Sequence, residues 1–232
     1  STTDDTVLEY SIDRASALIQ RYCARNFVSQ RYIEWHDTYG ANRVALRHNP
    51  VENVRFVGAG GDNVISVDST ISTDIACTIS VNDTHVHLFR AASNGQESST
   101  TLTFASHDST SEMAAQINAT TGFSASALLN VKTAYLRKIA GRDLKQQTAL
   151  LEAPTEGLTD YAIDYDRGII YGDTLRRYQG FLVDYSGGFT TVPYDIEQAA
   201  TSIATRLYRG RQRDPGVSSE SLGVPEHEVV KT

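Results

Sequence analysis

Apolar residues near the start of the chain recur at the spacing of an amphipathic helix. They alternate in steps of four and three, and the set is Leu8, Ile12, Ala15, Ile19 and Tyr22. This spacing gathers the side chains on one helix face. The carboxylate of Asp4 or Asp5 can accept a hydrogen bond from the free backbone N–H groups of the first turn. Arg25 or Asn26 would end the helix. We therefore expect a first helix that needs a partner surface.

The following part of the chain alternates apolar and polar residues, as half-buried β-strands do. The stretches with a strand pattern are residues 29–36, 44–46, 54–57, 63–67, 75–81, 85–89, 101–104, 161–165, 168–171 and 180–185. Turn residues, such as the glycine-rich run 58–61, separate several of them. We expect antiparallel hairpins here. Residues 125–153 fit buried strands or a helix about equally, and the pattern leaves that choice open.

Serine and threonine dominate from Asp68 to Thr121, which marks a change in composition. Within this stretch, Ser109 and Glu112 have the Ser-x-x-Glu spacing of a helix capping box, and Gly122 is a candidate stop signal. We expect residues 68–158 to form an inserted, Ser/Thr-rich β module with one helix.

The last helical pattern is the best defined in the chain. Pro193 suits a first turn, and Asp195 and Glu197 complement its positive end. Seven apolar residues follow in steps of three and one: Ile196, Ala199, Ala200, Ile203, Ala204, Leu207 and Tyr208. Five of them are assigned to a core helix face that must be buried: Ile196, Ala200, Ile203, Leu207 and Tyr208. After this helix, residues 214–232 are polar and without periodicity, which predicts an arm.

Four arginines occupy the C-terminal end of this helix and the residues after it: Arg206, Arg209, Arg211 and Arg213. They can simply complement the negative end of the helix dipole. They can also form a docking patch for an acidic partner surface, with the arm ordering on contact. Contact with a DNA backbone is a weaker third interpretation.

The formal charge of −7 argues against a surface built to neutralise DNA phosphates. No stretch approaches the ~20 apolar residues that cross a bilayer, so we expect no membrane association. The two cysteines, Cys23 and Cys77, lie in a helical and a strand pattern and do not imply a disulfide framework.

Few residue patterns in the sequence indicate a catalytic, metal-binding or phosphate-binding site. The run 58–61 leads to Asp62 and Asn63 rather than to the Lys-Ser or Lys-Thr of a phosphate loop. His85 and His87 project from one strand face and could hold a metal with a third ligand, but no local residue completes the set. We expect no catalytic, metal-binding or cofactor-binding residues, no cofactor and no enzymatic activity.

Five segments from residue 183 onward form a recognisable combination: Val183-Asp184-Tyr185-Ser186-Gly187-Gly188-Phe189, Val192-Pro193, residues 196–200, Leu207-Tyr208 and Ser219-Glu220-Ser221-Leu222-Gly223. In this combination the chain resembles the C-terminal half of tailed-phage head–tail connector (adaptor) proteins. The start is similar too, with an acidic pair, Arg21-Tyr22-Cys23, Arg25-Asn26-Phe27 and Asn49-Pro50-Val51. Together these segments cover roughly half of the chain.

The resemblance implies a non-enzymatic virion protein of the head–tail neck, assembled in the bacterial cytoplasm. Such proteins form a ring, usually of twelve subunits, that docks beneath the portal and extends the DNA channel. The implied partners are the portal protein, neighbouring copies in the ring and a downstream stopper or tail-completion protein, while DNA passes without sequence-specific binding. The residues carried over as portal or inter-subunit contacts are Arg206, Arg209, Arg211, Arg213, Ser219, Glu220 and Leu222.

The resulting fold expectation is α+β, with a helical connector core, antiparallel β hairpins and an inserted β-rich module. Residues 1–67 and 159–232 form the discontinuous core domain, and residues 68–158 form the insertion. The alternative function is a tail or baseplate surface protein with a glycan- or receptor-binding module. Its relevant features are the Thr-rich strands, Trp35 and the tyrosines, and it predicts a binding surface on the insertion and no affinity for a portal.

Overall fold

The computed structural model describes residues 2–177 and 180–210, which belong to two compact units. One unit contains both ends of the described chain, residues 2–27 and 191–210, and the other lies within residues 28–190. The first unit pairs helix α1 (Thr2–Cys23) with helix α3 (Tyr194–Gly210). Both helices occur where the apolar spacing predicts them.

The second unit consists mainly of antiparallel β-sheet. Its strands are β1 (Gln30–His36), β2 (Arg43–Ala45), β3 (Val51–Ala59), β4 (Asp62–Ser69), β5 (Ala76–Val81), β6 (His85–Ala91), β7 (Glu97–Thr103), β8 (Phe123–Ala127), β9 (Ile139–Asp143), β10 (Ala149–Ala153), β11 (Ala162–Asp164), β12 (Ile169–Tyr171) and β13 (Phe181–Gly187). They form sheets in the orders β1-β13-β3, β10-β4-β8, β11-β12-β2 and β7-β6-β5-β9. Helix α2 (Thr110–Ala119) lies between β7 and β8 in the chain.

The predicted helical connector core is wrong for the described residues, which form four antiparallel sheets and only three α-helices. The strong apolar periodicity of α1 and α3 does identify helices, but these two helices lie outside the larger unit. The strands have only three to nine residues each, so the alternation within any one of them is a weak signal. The total strand content of the chain is therefore easily underestimated from the sequence.

Local signals in the middle of the chain are confirmed. The Ser109 hydroxyl accepts from the backbone N–H of Glu112 at 3.2 Å, and the Glu112 carboxylate accepts from the Ser109 N–H at 3.3 Å. This is the reciprocal capping box that the sequence predicts. In β5, Cys77, Ile79 and Val81 are buried while the intervening residues are half-buried, as the alternation requires.

The segment 125–153, left open by its pattern, contains no α-helix. It forms the end of β8, a short 3₁₀ turn at Thr133–Tyr135, and strands β9 and β10. Strand β4 pairs with both β8 and β10, so one sheet joins residues on the two sides of position 67/68.

Two hydrophobic cores lie within the larger unit, and strand β13 contributes to both. All seven residues of β13 are buried. Leu182 belongs to a core with α2 and strands β4 to β6, whereas Phe181, Val183 and Tyr185 belong to a core with β2, β3 and β12. Alternate side chains of one strand point to opposite faces, so β13 carries one core on each face.

We predict that Gly187→Ala at the end of β13 destabilises the protein. A Cβ at this position would collide with the backbone carbonyl of His48, which cannot move as a side-chain tip can. We expect a loss of about 1–3 kcal/mol in the free energy of unfolding, measured by urea denaturation. Gly141→Ala is the matched control because nothing lies within 4 Å of its Cβ position. Equal stability of the two variants would contradict this packing.

Candidate functional site

A cleft of about 550 Å³ opens beside strand β1 in the larger unit. Its lining combines aromatic and charged side chains and consists of Arg31, Tyr32, Ile33, Glu34, Trp35, Asp37, Arg47, Asp83, Arg137 and Lys138. Strand β1 supplies half of these residues. The others come from the residue after β1, the segment after β2, the turn between β5 and β6, and the segment before β9.

One face of β1 is held by a buried carboxylate at the centre of β13. Asp184 accepts two hydrogen bonds from the Arg31 guanidinium, at 2.8 and 2.6 Å, and one from the Tyr135 hydroxyl at 3.0 Å. A second guanidinium, that of Arg55, lies 3.9 Å from the same carboxylate. Bidentate, charge-assisted bonds of this kind are the strong ones in proteins, and they offset the cost of burying Asp184.

The opposite face of β1 carries a second carboxylate. Glu34 accepts from the Tyr185 hydroxyl at 2.9 Å, and its oxygens lie 3.3 Å from His36 Nε2 and 3.6 Å from His48 Nε2. The His48 ring stacks on Tyr32 at 3.6 Å between centroids. Burial alone would raise the pKa of Glu34, but the contacts with His36, Tyr185 and His48 hold it below the ordinary value. Glu34 is therefore fixed as a charged group at the edge of the cleft.

The hydroxyl groups that bind these carboxylates are themselves perturbed. Burial and the neighbouring Asp184 raise the pKa of Tyr135 to about 12, and burial and Glu34 raise the pKa of Tyr185 further. Both tyrosines stay protonated and act as donors over the ordinary pH range. The two hydroxyl–carboxylate contacts hold β1 in position against β13 and the segment that carries Tyr135.

The cleft is a result of long-range pairing that the sequence patterns did not reveal. The alternation over residues 29–36 predicts a strand that contains Arg31 and Glu34 but indicates no partner for either, and the resemblance includes Asp184 only as part of the segment Val183–Phe189. Their partners lie about 150 residues away along the chain. A charged residue inside an otherwise apolar strand pattern, as at Asp184, is the one signal in the sequence that could have indicated a buried ion pair.

A second candidate surface is an apolar groove of about 690 Å³ in the terminal-helix unit. It is lined by Leu18, Ile19, Tyr22, Cys23, Phe27, Asp195, Ile196, Ala199 and Ile203. Tyr22 is 92% exposed and Leu18 is 45% exposed. Eight of the nine residues that line this groove are uncharged, so it resembles an uncovered interface rather than a polar binding site.

The two terminal helices bury only small side chains. Ser11, Ala15 and Ala204 are buried in this unit, whereas the large apolar residues of both helices are half-buried or exposed. The face assigned to the connector core follows this pattern, since the structure leaves each of its members half-buried: Ile196, Ala200, Ile203, Leu207 and Tyr208. Among residues 4–27 and 191–210, no large apolar side chain of this unit is fully buried.

The predicted arginine patch is described only in part. Arg206 and Arg209 are exposed and line a small pocket with Ser202, Thr205 and Gly210. Five other predicted contact residues lie outside the described residues: Arg211, Arg213, Ser219, Glu220 and Leu222.

The two strand histidines have polar neighbours of an ordinary kind. His87 Nε2 lies 2.7 Å from the Ser99 hydroxyl, and His85 lies within hydrogen-bond distance of Asn82 and Thr84. Within residues 2–177 and 180–210, no group of three potential ligands has the arrangement of a metal site. No helix in this part of the chain is both long and apolar enough to cross a membrane.

Comparison of the chain with protein-family models, curated proteins and solved structures yields no match. The two surfaces described above therefore carry the functional argument together with the sequence resemblance.

We predict that the Tyr135–Asp184 contact gives the protein a defined loss of stability at alkaline pH. The pKa of Tyr135 is raised from 10 to about 12 in the folded protein, so as pH rises the unfolded chain loses the Tyr135 hydroxyl proton at a lower pH than the folded chain does. The stabilisation is complete below pH 10 and is lost as pH rises towards 12, by up to about 1.4 kcal/mol per pH unit. In Tyr135→Phe, the plot of unfolding free energy against pH should be shallower by this amount, as measured by urea denaturation.

The same variant should lose about 1 kcal/mol at neutral pH through the missing hydrogen bond to Asp184. Tyr39→Phe serves as the control, because Tyr39 is 94% exposed. Parallel alkaline curves for the wild type and Tyr135→Phe would contradict the assigned contact.

Proposed function

We propose that this chain is a structural subunit of a tailed-phage particle, a head–tail connector that forms a ring beneath the portal. The observation that carries the proposal is the incomplete packing of α1 against α3. Among the described residues of this pair, the buried side chains are those of Ser11, Ala15 and Ala204, which supply little apolar burial for stability. Its large apolar residues remain available for a second chain.

A ring supplies such a chain on each side of every subunit. In a closed cyclic assembly, one surface of a subunit packs against a different surface of its neighbour, so apolar area is buried twice per copy. The groove beside Leu18 and Tyr22 is one such surface. The resemblance at both ends of the chain supports the same role, because the resembling segments include α1 and α3.

The charge of the protein fits a channel that DNA passes through without being gripped. The net charge is −7, and the Arg206 and Arg209 pair is small compared with the basic stripe of a DNA-binding surface. In this proposal the partners are neighbouring copies, the portal protein and a downstream stopper or tail-completion protein, and the protein is not an enzyme.

The glycan-binding alternative needs a binding surface on residues 68–158. Tyr32 and Trp35 of the polar cleft are aromatic features of the kind that this alternative uses, but both lie on β1. Of the cleft lining, only Asp83, Arg137 and Lys138 belong to residues 68–158, so the cleft is not a surface of the insertion, and we propose the connector role.

The test is co-sedimentation with portal rings of the same phage, followed by negative-stain imaging. We expect the wild-type protein to add a collar of density to the portal. The double variant Leu18→Asp/Tyr22→Asp should bind at least about tenfold more weakly, because burying two carboxylates in an apolar interface costs several kcal/mol. Both positions are exposed, so the subunit itself should remain folded.

Tyr39→Asp is the matched control, since it adds a charge at an exposed tyrosine of the other unit. The proposal is supported if Tyr39→Asp binds portal rings as the wild type does while Leu18→Asp/Tyr22→Asp binds them more weakly. If the wild-type protein fails to bind portal rings over a wide concentration range, the connector role is wrong.

A further inference from the structure

Strand β1 has one unused edge. It is the outer strand of the sheet β1-β13-β3, and it pairs with β13 through seven consecutive residues without a bulge. Among the described residues, no backbone hydrogen bond or bridge uses its second edge. Exposed edges of this regular kind are templates for another strand, and proteins usually protect them with bulges, prolines or a covering segment.

The polar cleft lies at this open edge rather than on one face of the sheet. Consecutive residues 31–35 all line it, although neighbouring side chains of a strand point to opposite faces. A cavity lined by side chains from both faces of β1 must contact the strand along its edge. The backbone N–H and C=O groups of β1 therefore face the cleft together with its side chains.

Each face of β1 provides a different wall. On one face, Ile33 and Trp35 pack against the larger core, and the Arg137 guanidinium lies 5.5 Å from the Trp35 ring. On the other face, Tyr32 stacks on His48. An extended peptide placed along the edge would meet an apolar, cationic wall on one side and a polar, aromatic wall on the other.

The chain itself contains a segment with matching chemistry. Residues 217–224, Val-Ser-Ser-Glu-Ser-Leu-Gly-Val, form a proline-free stretch between Pro215 and Pro225. Eight residues are enough to pair with the seven of β1. In an extended conformation, Glu220 and Leu222 share one face, which suits the wall formed by Ile33, Trp35 and Arg137.

The charges are complementary as well. In a chain with a net charge of −7, the cleft lining has four basic and three acidic side chains. Asp83 and Lys138 pair with each other at 2.5 Å, Arg31 is bound by Asp184, and Glu34 stays charged while it accepts from Tyr185. Arg137 forms only a partly exposed ion pair with Glu152 at 3.3 Å, so it can also attract a carboxylate of an incoming strand.

We propose that the open edge of β1 accepts residues 217–224 of a second copy of this chain as an added β-strand. Main-chain hydrogen bonds along the edge provide the affinity, and the Glu220–Arg137 attraction and the Leu222 contact provide the register. The inference does not rest on the connector function, because it requires no portal.

The test uses a synthetic peptide of residues 214–227 and a chain that lacks residues 211–232. Trp35 is the single tryptophan of the protein and lines the cleft, so its fluorescence reports binding at this site. We expect a saturable fluorescence change, and slower amide hydrogen exchange at residues 30–36 when the peptide is bound. A peptide with Ser219→Pro and Ser221→Pro should not bind, because proline removes backbone donors.

A charge exchange tests the register. Arg137→Glu should weaken binding of the natural peptide about tenfold, and a peptide with Glu220→Arg should restore it. Arg142→Glu is the matched control, since Arg142 is exposed and does not line the cleft. Circular dichroism against the full chain checks that every variant is folded.

The full chain provides a measurement that does not depend on the truncation. With Ser219→Pro and Ser221→Pro in the full chain, exchange at residues 30–36 should become faster and sedimentation should show less self-association. No fluorescence or exchange response at millimolar peptide would overturn the proposal. So would protection of β1 in a strictly monomeric full chain, or a response to oligosaccharides and not to the peptide.

Discussion

The larger unit depends on a strand that has no exposed residue. Strand β13 lies between β1 and β3, and its side chains reach both hydrophobic cores. A buried strand must satisfy every polar group that it carries, and Asp184 is satisfied only because Arg31 and Tyr135 converge on it from other elements. This one carboxylate therefore fixes the distance between β1, β13 and the turn that holds Tyr135. The shape of the cleft follows from that arrangement.

Features encoded by neighbouring residues could be predicted from the sequence. The capping box at Ser109 and Glu112, the alternation of Cys77, Ile79 and Val81, and the apolar spacing of both terminal helices each depend on residues a few positions apart. Such signals carry their physical cause with them, because one turn of helix or one pleat of strand contains the whole interaction. The structure confirms these elements, although α1 begins before the expected cap at Asp4 or Asp5 and ends at Cys23, before Arg25.

Features that depend on distant residues could not be predicted. Nothing near Glu34 indicates that Tyr185 donates to it, and nothing near Asp184 indicates two guanidinium groups. The helical-core expectation failed for a related reason. The resemblance lies mainly at the two ends of the chain, where the helices are, whereas the residues between them form strands whose pairing is set by the cores. The strands within residues 125–153 are likewise determined by long-range pairing, such as that of β4 with β10, which the weak periodicity of this segment does not indicate.

The larger unit begins and ends at the same point. Val28 and Phe189 form a parallel bridge, and the Ser29 N–H donates to the Phe189 carbonyl at 3.0 Å. The chain between α1 and α3 therefore closes a loop of about 160 residues before the helices can meet. Closing a loop of that length in an unfolded chain costs about 4–5 kcal/mol of entropy. A larger unit that is already folded removes this cost, so pairing of the two helices is entropically cheaper on the folded sheets than in the unfolded chain.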